Sequence, residues 1–370
     1  MSRIVRSLCL TALVAAVASP AAASFWASDT MYVPAAAHNN GVEGSVWRTD
    51  LYLTNVDTTP MDAVIIFYPN RMTDNSGLYT RTNALSGREG EGFGFVNSDL
   101  ADIPPGGTVV IEDILGQYWF ERDGYTLGAL VIWTHEAGSL DQDGGRVFRN
   151  ALVQTRTYND TTVWVEDPEA EEGEEAELIE EAATYGQLQP AVPWYNLPDP
   201  SVAEEDGVDF SYQILQGVTQ NDTYRYNLGI FNSSDLQTQV VVSVQPFQAD
   251  GTPFTDENDN ELGRIVTIPP LAHVQYTQVM SELFDIEEVS GATLKLTLTR
   301  WDTSGPRPRP SFVAYGVMTD NRSNDPTTFL PSFAFPYDVD CMWPDPAEGG
   351  KSVPGAWGQE PRRPMAVPPR

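Results

Sequence analysis

The run Asp256-Glu257-Asn258-Asp259-Asn260-Glu261 sets oxygen-bearing side chains at alternate positions, the arrangement a hard cation such as calcium favours. Asp256, Asn258 and Asn260 are the candidate ligands, and calcium is the one cofactor the chain suggests. The loop lacks the glycine expected at its sixth position, and Thr267 stands where a bidentate Glu would close it, so an acidic hairpin turn is the plainer reading. Asp141 and Asp143 before Gly144 repeat the pattern more weakly. Only His38, His135 and His273 are available for imidazole chemistry. His135-Glu136 has no second His one turn on, as a helical zinc-protease site requires. A nucleophile elbow and a phosphate loop are both missing, and the glycines of GREGEGFGF from Gly87 fit a hairpin tip better than a dinucleotide fingerprint. Two facing carboxylates can hydrolyse glycosides, but with 52 acidic residues some such pair is inevitable. No catalytic residue is assigned. Trp47, Tyr118, Trp119, Trp133, Trp194 and Trp301 include candidate sugar-stacking platforms, although strand tryptophans more often fill cores.

Other polar residues read as scaffold. Arg48 and Asp50 lie two apart on one strand face, close enough to pair, and Arg225 and Asn227 repeat that spacing. Asn55, Asn232, Asp320, Asn321 and Asp325 sit at strand ends and turns, where short polar side chains bond nearby backbone.

These residues need elements to position them, and internal similarity indicates which. WRTDLYLTN from Trp47 matches YRYNLGIFN from Tyr224, and the same displacement carries Phe67-Tyr68-Pro69 onto Val244-Gln245-Pro246. IPPGGTVVIEDIL from Ile103 matches IPPLAHVQYTQVM from Ile268, GALVIW from Gly128 matches GATLKL from Gly291, and NALVQTRTYNDTT from Asn150 matches VAYGVMTDNRSNDPTT from Val313. The blocks keep their order, and the connection after Asn70 is longer in the first copy. Each block alternates like a strand or runs β-branched to a proline, with Pro-Gly, Asp-Gly and Asp-Thr turn signals between. Short helical turns are expected in IEDILGQYWF and YTQVMSELF. The expected fold is all-β: two tandem antiparallel β-sandwiches, Ig-like or jelly-roll-like, related by duplication. The expected boundaries are a signal peptide over 1–23, sandwich domains over 24–163 and 185–334, an acidic linker over 164–184, and a Pro-rich tail over 335–370. The linker contains EDPEAEEGEEAELIEEA from Glu166, with ten acidic residues and no basic one, and reads as a solvated spacer.

Composition narrows the class. Among 370 residues, 21 basic side chains against 52 acidic ones give a formal charge of −31, which disfavours nucleic acid and anionic membrane as partners. Such acidity also suits a saline habitat. Arg3 and Arg6 precede the apolar stretch Leu8–Val17, and Ala21-Ala22-Ala23 offers a cleavage site, so export to the periplasm or beyond is expected. No later stretch is apolar for long enough to cross a bilayer as a helix. With Cys9 removed, Cys341 is left without an internal partner.

YRYNLGIFNSSD (from Tyr224), VTIPPLAHVQYTQVM (from Val266) and AYGVMTDNRSNDPTTFLP (from Ala314) resemble an uncharacterised family of repeat units in secreted proteins of environmental bacteria. VPAAAH with WRTDLYLTN looks like a companion form. The resemblance implies export and a sandwich fold, with no established reaction. The expected function is a non-enzymatic binding, structural or adhesion protein of the cell exterior, with an extracellular glycan or a cell-surface protein as partner. The alternatives are a carbohydrate-binding or polysaccharide-active accessory protein, and a calcium-stabilised adhesion module.

Overall fold

Val240, Val242 and Val244 turn inward from one strand while Val241, Ser243 and Gln245 turn outward, and this period of two recurs through most of the chain. The computed structural model describes residues 27–40, 45–75, 94–95, 100–120, 126–139, 147–166, 178–197, 212–234, 237–303 and 310–333. The signal segment, Asp141, Asp143, most of GREGEGFGF, the centre of the acidic run, Cys341 and the tail lie outside them.

The protein is all-β, and every pairing between its named strands is antiparallel. In the first half the strands are β1 (Thr30–Ala37), β2 (Asn39–Asn40), β3 (Val46–Asn55), β4 (Met61–Pro69), β5 (Gly94–Phe95), β6 (Thr108–Ile111), β7 (Leu127–Glu136), β8 (Ala151–Glu166), β9 (Leu178–Pro190) and β10 (Val192–Pro193). The second half has β11 (Tyr212–Gln220), β12 (Tyr224–Phe231), β13 (Thr238–Phe247), β14 (Arg264–Ile268), β15 (His273–Tyr276), a short helix α1 (Val279–Phe284), β16 (Val289–Thr303), β17 (Val313–Asp320), β18 (Pro326–Phe329) and β19 (Ser332–Phe333). They form four sheets. Sheet I runs β10-β1-β7-β4-β5, and sheet II runs β2-β3-β8-β9 with β6 also on β3. Sheet III runs β14-β13-β16-β11-β19, and sheet IV β15-β12-β17-β18. Four small antiparallel sheets is also the count of a four-bladed propeller, so two tandem sandwiches is not the only description of this architecture.

The strand order of the second half repeats that of the first. Read from the far edge, β19-β11-β16-β13-β14 follows β10-β1-β7-β4-β5, and β15-β12-β17-β18 follows β6-β3-β8-β9. The register repeats as well. Leu51 faces Ile111 and Leu53 faces Val109, while Leu228 faces Tyr276 and Ile230 faces Val274, each the partner expected from the sequence match. Two matches need adjustment. Thr54 faces Leu152 and Phe231 faces Val313, so the last block is displaced by two residues, a shift that preserves which face is buried. Gly128 faces Pro69, whereas Leu294 faces Pro246, so Gly128 and Gly291 are not equivalent. Gly291 is needed for a φ of +68°, while a Cβ on Gly128 would lie 2.2 Å from the Tyr68 carbonyl oxygen. Matching the two glycines had aligned residues present for different reasons.

Three apolar clusters hold the sheets. Met31, Leu51, Leu53, Ile65, Phe67 and Ile132 join sheets I and II, with the Trp119 ring packed at a tilt against Phe67. Leu215, Leu228, Ile230, Val242, Leu294 and Leu296 join sheets III and IV. The third cluster lies between the halves: Val64, Ile66 and Tyr68 of sheet I meet Phe231, Leu271 and Val313. Sheet I is therefore covered on both faces, and MDAVIIFYP reads as a nearly unbroken apolar run, while its counterpart TQVVVSVQPF alternates because its other face meets solvent.

The acidic spacer is corrected. Trp164–Glu166 and Leu178–Thr184 lie in β8 and β9, which pair without interruption from Gln154 opposite Pro190 to Glu166 opposite Leu178. Both described ends of the run are therefore strand, and β9 belongs to the first half, so the division at residue 185 falls within a strand. Backbone pairing along the β-branched stretch Thr161–Val165 outweighs the self-repulsion of Glu166, Glu180 and Glu181.

Asn55 and Asn232 show how equivalent residues brace each half. The Asn232 amide donates to the carbonyls of Thr238 (2.9 Å), Ile268 (3.1 Å) and Pro269 (2.8 Å), and its oxygen accepts the Ser234 N–H. The Asn55 amide donates to Thr59 (2.9 Å) and Ile103 (2.8 Å), and its oxygen accepts the Asp57 N–H. Both side chains are fully buried. Asn55→Ala and Asn232→Ala are each expected to lower the urea-unfolding free energy by about 2–3 kcal/mol, because several buried carbonyls lose donors. A loss below roughly 0.5 kcal/mol for either variant would contradict the shared bracing role.

Candidate functional site

A cleft of about 200 Å³ opens between the halves, beside the apolar junction. One wall comes from the first half. Ala35, Ala36 and Ala37 of β1 supply small side chains after Pro34, where the β1–β7 register slips. Trp47 flanks them at the start of β3, past the last core position of its strand face, and Thr157 and Gln189 project from β8 and β9. The opposite wall is the outer face of sheet IV. Arg225 and Asn227 come from β12, Gln275 from β15, Tyr315 and Thr319 from β17, and Thr328 from β18. Because β12 turns Tyr226, Leu228 and Ile230 into its own core, the alternate residues must face the first half.

Four features fix the separation of the walls. Phe231 closes one end against Tyr68 (ring centroids 5.5 Å apart) and Tyr32 (6.4 Å). Next to it, fully buried His273 places Nδ1 3.1 Å from Asn70 Oδ1 and Nε2 3.1 Å from the Tyr315 hydroxyl, which donates to Gln275 Oε1 at 2.8 Å. Burial pushes the His273 imidazole down to about 3, a nearby Pro34 carbonyl opposing only weakly, so the ring is neutral in the folded protein. Gly229 makes room for the Tyr315 ring, since a Cβ there would sit 2.0 Å from Tyr315 Cε1. On the other side Gln187 Oε1 accepts the Thr328 N–H at 2.9 Å, tying β9 to β18. Asn75, in the longer connection of the first half, donates from its amide to Leu271 O at 2.9 Å.

Arg48 and Asp50 do not pair with each other. Arg48 Nε lies 3.4 Å from Asp113 Oδ2, and His38 Nδ1 lies 2.8 Å from the same oxygen. Asp50 accepts the Asp113 N–H at 3.0 Å, and Asn227 accepts the Gln278 N–H at 3.3 Å. Asp113 and Gln278 are both left-handed (φ 43° and 54°), and each leads into a short helical turn, the π-turn Gly116–Phe120 or α1. Asp50 and Asn227 thus anchor strained turns. Burial, followed by the Asp50 and Asp113 charges, pushes the Tyr158 hydroxyl up to about 12.

Arg225 donates to Asn321 Oδ1 (2.9 Å) and Asn324 Oδ1 (2.7 Å), so Asn321 holds a residue of the cleft. Asp320 accepts the N–H groups of Arg322 (2.7 Å) and Ser323 (3.0 Å), bonds that hold its carboxyl below the usual range. Asp325 accepts the Asp320 N–H through its carbonyl, closing the same turn. The Asp256 oxygens accept the N–H groups of Asn258 and Asn260 and both contacts from the Asn260 amide, again lowering its carboxyl. Asp256, Asn258 and Asn260 therefore form a self-bonded turn, whose hydrogen bonds a cation would have to displace. Among the described residues, no group of three or more His, Cys, Asp or Glu is gathered as metal ligands are.

Of the six aromatics with stacking potential, Trp119 is in the core, Trp133 and Trp194 pack on the junction, Tyr118 borders the first core, and Trp301 is 37% exposed on sheet III. Only Trp47 lines the cleft. Gln189, Gln275 and Tyr315 were not anticipated. Their sequence signals are the polar residues on the sheet IV face opposite the core, and Gly229 at a position where the first half has Tyr52. No helix among the described residues is long and apolar enough to cross a membrane. The chain matches no protein-family model and no curated protein.

Proposed function

We propose that this chain is an exported, non-enzymatic binding protein of the cell exterior, and that its two halves together build one ligand cleft. The observation carrying this reading is the composite wall, with Trp47 and Gln189 from one half facing Arg225, Asn227 and Gln275 from the other. An aromatic ring, amides, hydroxyls and one guanidinium around a small hollow are groups that orient a polar ligand. The polar clusters elsewhere support turns, in keeping with a protein that binds without reacting.

The architecture behind this reading is a pair of sheet-on-sheet units made by duplication. Its support is the single apolar cluster within each half, together with the repeated strand order and register. A propeller blade is a run of consecutive strands, whereas here β3 and β4, or β12 and β13, belong to different sheets. The N-terminal segment and the resemblance to repeat units of secreted proteins support export, with cleavage near Ala23.

A glycan array probed with the full chain and with Trp47→Ala is the test. Retention of at least one extracellular glycan is expected, with Trp47→Ala losing at least tenfold in affinity while its unfolding curve stays close to the parent's. Binding unaffected by Trp47→Ala would move the site elsewhere. Release of reducing sugar from a polysaccharide, abolished by replacing one carboxylate, would make the protein an enzyme instead.

A further inference from the structure

Independently of the cleft, we infer that the outer face of sheet II docks the outer face of sheet III on a second copy of this chain, giving reversible head-to-tail assembly. A hollow of about 410 Å³ marks the sheet II side, lined by Tyr52, Thr54, Thr108, Leu152, Gln154 and Leu188. These side chains alternate along their strands with those that enter the core or the cleft, as Leu188 does with Gln189, so they face away from both.

The duplication indicates what belongs there. Strand register gives each of the six a counterpart in the second half: Gly229, Phe231, His273, Val313, Tyr315 and Thr328, in the same order. Those counterparts are the surface by which the second half meets the first. Phe231 and Val313 belong to the apolar cluster between the halves, His273 and Tyr315 make the buried network beside it, and the Thr328 N–H donates to Gln187. The corresponding face of the first half presents Val110 and Leu188 to solvent, 52% and 48% exposed.

The complementary surface follows from the same register. Phe231 and Val313 share their cluster with Tyr32, Val64, Ile66 and Tyr68 of sheet I, whose counterparts in sheet III are Tyr212, Val241, Ser243 and Gln245. Tyr212 keeps the aromatic ring of Tyr32. The aliphatic side chain missing at Ser243 is supplied by Ile265, its partner across the β13–β14 pair and 64% exposed. Ile265 and Val110 are the two most exposed large hydrophobics among the described residues, and each is covered when the two faces meet. Because the faces differ, the contact is heterologous and copies add head to tail. Ser243 and Gln245 make it weaker than the apolar junction inside the chain, so it forms and reverses with concentration. The formal charge of −31 opposes it at low salt.

The test is analytical ultracentrifugation of the full chain, of Leu188→Asp and of Ile265→Asp, over a range of protein concentrations. Both substituted side chains are exposed, so the fold is retained. The parent should gain average mass with concentration. The gain should be larger when salt rises from about 0.1 to about 1 M and the screening length falls from about 10 to about 3 Å. Each variant alone should associate at least tenfold more weakly. Mixed in equal amounts, the two should form dimers and nothing longer, because Leu188→Asp keeps a sound sheet III face and Ile265→Asp a sound sheet II face. A parent that stays monomeric at every concentration and salt overturns the inference. So does association weakened by Leu188→Asp alone, which would mean that sheet II pairs with itself, and so does a mixture that remains monomeric.

Discussion

Phe231→Ala should lower the unfolding free energy by about 3–5 kcal/mol and weaken ligand binding, although Phe231 does not line the cleft. The side chain is fully buried between Tyr32 and Tyr68, rings of the other half, so its removal opens a cavity that two separately folded sheets cannot collapse around. The cleft walls are set by this contact, and losing it lets them separate. Urea unfolding followed by tryptophan fluorescence and by circular dichroism should report one coincident transition in the parent and a split one in the variant. A loss under about 1 kcal/mol with unchanged binding would mean that the halves do not depend on this junction.

Acid should act on the same junction through His273. The imidazole is held at about 3 by burial, against an ordinary 6.5 in the unfolded chain. Between those values the unfolded state takes up a proton that the folded state refuses, so stability is full above pH 6.5 and falls as pH drops toward 3. The slope approaches about 1.4 kcal/mol per pH unit. His273→Gln, which keeps polar contact with Asn70 and Tyr315 within reach, should flatten this stretch of the pH profile even if it lowers the plateau. Carboxyls such as Asp57 and Asp320, held low by backbone N–H donors, lose their contribution only below 3.8, so above that pH the His273 slope is not mixed with theirs. An unchanged slope in His273→Gln would contradict the assignment.

Much of the β structure was legible because alternation along a strand is a local property. Tyr226, Leu228 and Ile230 announce a buried face, and the turn residues between blocks announce their limits. Register was nearly legible: the matched blocks placed Leu51 opposite Ile111 correctly but displaced Val313 by two residues, an error that leaves the apolar pattern intact. Pairing between distant segments was not visible. Glu166 and its neighbours read as a repelling spacer because no local feature says that β8 and β9 continue past the sheet. The cleft was hidden for the same reason, since Gln189 and Gln275 are ordinary exposed-type residues until two faces meet. MDAVIIFYP carried a usable signal that the reading of it as a β-branched run ending at proline passed over: its excess apolar residues require a cover on both sides.

Amide chemical shifts of the intact protein, followed while a glycan retained on the array is added, address the composite site most directly. Shifts should appear together at Asn39, Trp47 and Gln189 and at Arg225, Asn227 and Gln275, saturating along a single curve. Shifts confined to one half, or gathered on the exposed face around Trp301, would show that the space between the halves is not where this protein binds.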